Sequence, residues 1–248
     1  MSRAVLPFEI APQPDETTCG PTCLHAIYRY YGDDIPLDQV VREVPTLEQG
    51  GTLAVLLGCH ALARGYRAEI HTYKLQIFDP TWFRPGGTDI AARLKAQLEH
   101  KKGSRLRAAT KGYVEFLERG GELHMEDLSS ALLRRYLKKD VPVVTGLSST
   151  WLYGCAREFG PQGDEDDVRG EPVGHFVVLH GYDADERTVD VADPLASNPW
   201  TGTLKYKAGM DRLVCAILLG VLTYDANLLV IQPPGKETHA AADPDRRR

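Results

Sequence analysis

The 248-residue chain has no run of about 18 consecutive apolar residues, so a membrane-spanning helix is not expected. Its opening, Met1-Ser2-Arg3-Ala4-Val5-Leu6-Pro7-Phe8, lacks the apolar core of a secretory signal, and a cytoplasmic protein is the expectation. Positive charge is in deficit: 29 Lys and Arg face 34 Asp and Glu, a formal net charge of −5. That balance argues against a nucleic-acid partner. Cysteine is scarce and odd in number, at Cys19, Cys23, Cys59, Cys155 and Cys215. Five scattered cysteines suit free thiols in a reducing compartment better than a disulfide framework. Cys19 and Cys23 are the one close pair, with His25 and His60 in the same region. Without a second pair at finger spacing no zinc site is expected, and no other cofactor is indicated. There is no internal repeat.

What remains is the composition of an ordinary soluble globular protein, 43% hydrophobic and 25% charged. The length fits one domain over residues 1–232, carrying a helical insertion at about 75–140, followed by a disordered tail over 233–248. Residues 1–12 read as an extended arm or edge strand. Helical spacing predicts helices from about Cys19 to Tyr31, from Ile35 to Val44 and from Leu53 to Ala63, the last capped by Thr52. A strand is expected over Tyr66 to Tyr73. Within the insertion, helices are predicted at Thr88–Leu98 with Thr88 as cap, at Ser104–Leu117 and at Leu128–Lys139, with a short strand at His124–Asp127. Strands follow at Val141–Leu147, His175–His180 and Thr188–Asp193. An acidic loop spans 160–170, and a strand, a helix and a last strand fill 203–232. Trp82 and Trp151 are candidates for cleft walls, with core packing the favoured expectation for each. Helices first and strands later point to an α+β fold.

The stretch that carries chemistry is Gln13-Pro14-Asp15-Glu16-Thr17-Thr18-Cys19-Gly20-Pro21. Thr17 or Thr18 can cap the helix that follows, and Pro21 is tolerated in its first turn. Cys19 then stands at the helix N-terminus, where the positive end of the dipole favours a thiolate. Gln13, six residues upstream, can aim its side-chain amide at the same carbonyl oxygen as the Cys19 N–H; such a donor lowers a barrier by about 2.7–4 kcal/mol. A base is sought far along the chain. His175 opens the buried strand His175-Phe176-Val177-Val178-Leu179, and its rival His180 faces the opposite side. Asp193 ends the next strand before Pro194, where it can orient the imidazole; its rival Asp190 again faces the other way.

Gln13 with Cys19-Gly20-Pro21, then His175-Phe176-Val177-Val178-Leu179, then Asp193-Pro194, resembles the C39-like cysteine peptidase family of the papain-like fold. The resemblance is carried by the first 70 residues and about residues 140–200. It implies a nucleophile helix packed on a mainly antiparallel sheet. It also implies Cys19 as nucleophile, His175 as base, Asp193 as its orienter and Gln13 in the oxyanion hole. The substrate implied is a peptide or protein, cleaved through a thioester. A thiol acyltransferase with the same residues, or an inactive peptide-binding module, are the other readings the motif allows. The acidic residues Asp164–Asp167 read as a solvated loop, placed by its position just before His175 at the border of the cleft, and Cys23 reads as packed beneath the nucleophile helix.

Overall fold

The computed structural model describes residues 3–47 and 50–235. The tail beyond residue 235, expected to be disordered, lies outside these described residues. Strand β1 (Arg3–Val5) is followed by helices α1 (Cys19–Tyr30), α2 (Leu37–Glu43) and α3 (Ala54–Ala63). Strand β2 (Arg67–Thr72) leads to α4 (Ile90–His100), α5 (Ser104–Glu118), β3 (Glu122–His124) and α6 (Ser130–Leu137). Strand β4 (Val143–Ser148) runs directly into a short helix, α7 (Ser149–Tyr153), and two small strands, β5 (Glu158–Phe159) and β6 (Asp164–Glu165), pair with each other. Then come β7 (Gly174–Asp183), β8 (Thr188–Ala192), β9 (Lys205–Gly209), α8 (Met210–Leu219) and β10 (Asn227–Gln232).

The main sheet has the order β3-β2-β10-β4-β7-β8-β9, with β1 pairing on β7. Its pairs are antiparallel except β2 with β3. The fold is α+β with a mainly antiparallel sheet, as expected. Alternation along β7 explains why this strand is apolar throughout. Phe176 and Val178 pack into a core with α1, α3 and α5, whereas Val177 and Leu179 pack into another with α6 and α8. A strand covered on both faces cannot alternate apolar with polar.

Helix α1 forms where its periodicity places it, but the local caps differ from expectation. Thr18 occupies the N-cap position without a side-chain cap bond. Its hydroxyl turns back to the Asp15 carbonyl at 3.0 Å. Thr52 does not cap α3 either; it donates to the Pro45 carbonyl, and Leu53 holds the cap position. For α4 the cap is Asp89, whose carboxylate accepts from the Ala92 N–H at 2.9 Å, not Thr88. A carboxylate one residue closer to the helix wins because it is the stronger acceptor. Strand β3 begins two residues before the expected His124, and the acidic 160–170 segment contributes β6 to a small hairpin. Helix α7 was not expected: Ser148 caps it and Gly154, at φ 70°, closes it, but five residues are too few to show a period.

The helices of residues 75–140 share the core of α1 and α3 through Leu94, Tyr113 and Phe116. The Phe116 ring fills the space that a side chain at Gly58 would take, since a Cβ there would lie 2.7 Å from its Cε2. Phe116→Ala is expected to lower the unfolding free energy by about 3–5 kcal/mol in denaturant titration. A change below about 1 kcal/mol would mean that this segment packs independently of the sheet.

Candidate active site

The turn before α1 is built by its own polar residues. Asp15 accepts the Thr17 N–H and hydroxyl, both at 2.8 Å, and these bonds hold its carboxyl below the ordinary carboxylate range. Because the Thr18 hydroxyl is spent on this turn and Pro21 has no N–H, the Cys19 and Gly20 amides make no hydrogen bond among the described residues. Two donors are thereby left free at the helix start. Gly20 is required by packing: a Cβ there would meet Thr52 Cγ2 at 2.6 Å. Cys23 lies one turn on, fully buried, its thiol donating to the Phe176 carbonyl at 3.3 Å. Burial, then the neighbouring Cys19 and Asp193, push the Cys23 thiol well up. It packs beneath the helix, as expected.

His175 pairs with Leu147 across β4, and both it and Asp193 are buried. His175 Nε2–H donates to Asp193 Oδ1 at 2.8 Å. Asp193 Oδ1 also accepts the Leu195 N–H at 2.9 Å. Its other oxygen, Oδ2, accepts two phenols, Tyr153 from α7 and Tyr206 from β9, each at 2.7 Å. Burial alone would raise this carboxyl. The bond and charge of His175, helped by Tyr206 and the Leu195 amide, keep it below the ordinary carboxylate range instead. The opposite balance holds for the imidazole. Burial would lower it, but the Asp193 hydrogen bond and the adjacent Cys19 thiol outweigh that and push it up to about 10.

The rivals lie elsewhere. His180 stacks on Phe8 with ring centroids 5.8 Å apart, beside the Leu6 carbonyl 3.3 Å from its Nδ1. Asp190 sits near it, its charge raising His180 against the lowering by burial, and its Oδ2 lies 2.7 Å from where a Gly181 side chain would begin. Both belong to the opposite side of the β7–β8 pair, as parity requires. His60 is held by Tyr28 and Glu43, and no group of three or more His, Cys, Asp or Glu among the described residues is arranged to hold a metal.

Two adjoining cavities flank the site. One, of about 210 Å³, is lined by Gln13, Tyr153, His175 and Leu195; the other, of about 330 Å³, by Cys19, Thr52, Phe176 and Arg105. They share Glu16, Glu158, Val173 and Gly174, so they form one cleft. Glu165 on β6 lines it as well, which brings the acidic segment to the cleft edge. Gln13 is tied by its backbone N–H to the Pro194 carbonyl, and its Nε2 donates to the Asp15 carbonyl at 2.9 Å. An amide nitrogen carries two hydrogens, so one remains for a ligand. Trp151, expected in the core, is 47% exposed, whereas Trp82 packs against the core. Nothing in the sequence marks Tyr153 and Tyr206, each of which resembles any half-buried aromatic there.

A family model described as the Peptidase C39-like family matches residues 5–211, a span that includes the middle of the chain as well as the motif-bearing segments. The chain belongs to this family. Among solved structures it is similar to a C39-like peptidase from Bacillus anthracis, at 14% identity and TM-score 0.52, covering 93% of this chain and 98% of that one. It also matches a double glycine motif protease from an AMS/PCAT transporter, solved in complex with the leader peptide (15% identity, 93% and 94% covered, TM-score 0.43). A third match is xylellain, a cysteine protease from Xylella fastidiosa (16% identity, 94% and 86% covered, TM-score 0.43). No curated protein matches the chain. The C39-like fold is therefore shared at very low sequence identity, and no helix among the described residues is long and apolar enough to cross a membrane.

With its pKa raised from 6.5 to about 10, His175 contributes stability that is full below pH 6.5 and is lost as the pH climbs through 10. In an NMR titration the imidazole is expected to stay charged through neutral pH and to lose its proton near 10. Asp193→Asn should bring that midpoint down sharply. A midpoint near 6.5 in the wild-type protein would contradict this electrostatic account.

Proposed function

We propose that this C39-like chain is a cysteine peptidase that cleaves a peptide or amide bond through Cys19, His175 and Asp193. The observation that carries the reading is the 2.8 Å bond between His175 and Asp193, buried beside the thiol that opens α1. An imidazole held positive there is a counter-ion for a thiolate and a proton donor for a leaving amine.

In the proposed sequence the Cys19 thiolate attacks the substrate carbonyl and the oxygen takes the negative charge. The free Cys19 N–H and the second hydrogen of Gln13 Nε2 stabilise that oxyanion. As the C–N bond breaks, His175 gives its proton to the leaving nitrogen, and Cys19 holds the acyl group as a thioester. Neutral His175 then takes a proton from water, whose oxygen attacks the thioester. The acid product leaves and the thiolate–imidazolium couple is restored. Asp193 keeps the ring oriented throughout, since Tyr153, Tyr206 and the Leu195 amide occupy its remaining acceptor positions. Family membership supports a peptide or protein as substrate. The five free thiols support a reducing, cytoplasmic setting.

Cys155 and Cys215 are the thiols not buried and serve as internal references for the test. Iodoacetamide should alkylate Cys19 at least about tenfold faster than either at neutral pH, despite its burial, as expected of an activated thiolate. The advantage should disappear in His175→Ala. An ordinary Cys19 rate that ignores the mutation would sink the peptidase reading. With an alkylation-competent protein in hand, cleavage of a peptide library should vanish in Cys19→Ala and fall about 10²–10³-fold in Gln13→Ala, mainly in kcat. Products formed with and without an added amine distinguish hydrolysis from acyl transfer.

A further inference from the structure

A second charged group lies in the cleft wall and has no part in the chemistry above. Asp225 is buried between two residues of positive φ, Tyr224 at 64° and Ala226 at 26°. Such backbone is strained for residues other than glycine and persists where surrounding structure demands it. Asp225 Oδ2 accepts the Thr223 hydroxyl at 2.6 Å and fills the space a Gly174 side chain would need, directly before His175.

Two basic groups attend this one carboxylate, and burial pushes the Lys74 ammonium down to about 7. Lys74 is 3% exposed, and its ammonium makes no hydrogen bond or ion pair among the described residues. It faces the Tyr224 ring, 5.7 Å from the centroid, and its charge acts on Asp225. Arg105, from the first turn of α5, lies over the same ring at 5.0 Å. One of its five donors goes to the Thr223 carbonyl at 2.7 Å, while its buried Nε–H has no partner. Arg105 lines the cavity that contains Cys19; Lys74 does not. Lys74 and Arg105 both act on Asp225 by charge, and of the two bases only Arg105 shares the cavity with Cys19 and keeps donors to spare there. The same cavity bears the buried Asp225 and also Glu16, Glu158 and Glu171, which are exposed, where water and salt weaken their field at the half-buried Arg105.

We propose that Arg105 is a specificity-determining residue that binds a carboxylate of the substrate in the cleft beside Cys19. The carboxylate is an acidic side chain or a chain terminus, either of which the planar guanidinium can engage with two parallel hydrogen bonds. The inference rests on the cleft assigned above to the peptidase reaction.

Three maleimides on one propionyl linker test it. One ends in glycine, with a terminal carboxylate; one in glutamate α-amide, with a side-chain carboxylate; one in glutamine amide, which is neutral. Their alkylation rates at Cys19 are read by peptide mass mapping in the full chain. At least one acid should react about tenfold faster than the neutral probe, a difference of about 1.4 kcal/mol, and the faster acid identifies the source. In Arg105→Gln the acid-to-neutral ratio should fall to about one. Arg105→Lys, which keeps the charge without the fork, should retain part of the preference and serves if the glutamine variant does not fold. Acids no faster than the neutral probe, or a preference that survives Arg105→Gln, would overturn the proposal. The neutral rate alone reports whether Cys19 is an activated thiol, so failure of the subsite and failure of the peptidase reading give different results.

Discussion

The Asp193 carboxylate is the constraint around which the site is arranged. Removing a carboxylate from water costs several kcal/mol unless its acceptor positions are filled. Here they are filled from four parts of the chain: His175 at the start of β7, Tyr153 at the end of α7, Tyr206 on β9 and the Leu195 amide just beyond β8. None of these is optional. Loss of one would leave a buried charge short of a partner, and a group left unsatisfied costs more than a formed bond contributes. The β7–β8–β9 order of the sheet is what brings three of the partners within reach, and α7 must follow β4 immediately to deliver the fourth.

The same arrangement links the sheet to helix α1. The cysteine at the start of α1 faces an imidazole whose other nitrogen is already committed to Asp193. The turn that precedes α1 spends Thr18 on Asp15 instead of on the helix, which leaves the first amides uncapped. An uncapped helix start is unfavourable in isolation. In the proposed reaction those free amides serve the oxyanion, so the local cost and that use would share one origin.

The main elements were legible in the sequence because each rests on a local signal. The period of α1, the apolar run of β7 and the odd spacing that separates His175 from His180 all survive in the structure. Caps were read less well. Thr18, Thr52 and Thr88 each satisfy the cap rule on paper, yet Asp15, Pro45 and Asp89 compete for the same hydroxyls or positions. The tyrosines on Asp193 were illegible for another reason. Their role exists only once β9 and α7 are brought beside the end of β8, and nothing in the flanking residues of Tyr153 or Tyr206 encodes that meeting. Helix α7 is short enough that a serine cap and a glycine stop are its only trace.

The two buried carboxylates beside the cleft differ in how completely they are satisfied, and that difference separates their roles. Asp193 accepts four hydrogen bonds, so a ligand has nothing to add to it; its position and charge are fixed before a substrate arrives. Asp225 accepts a single hydroxyl and relies on Lys74 and Arg105 for charge balance, with an ammonium and a buried Nε–H still lacking acceptors. Polar groups left unpaired in a low dielectric hold free energy that an acceptor can release. A saturated group stays constant whatever binds beside it, whereas an unsaturated one can discriminate between ligands. Asp225 lines the cleft, whereas Asp193 is fully buried behind His175. The helices of residues 75–140, by contributing Arg105, place part of that discrimination on a segment that also closes the core through Phe116.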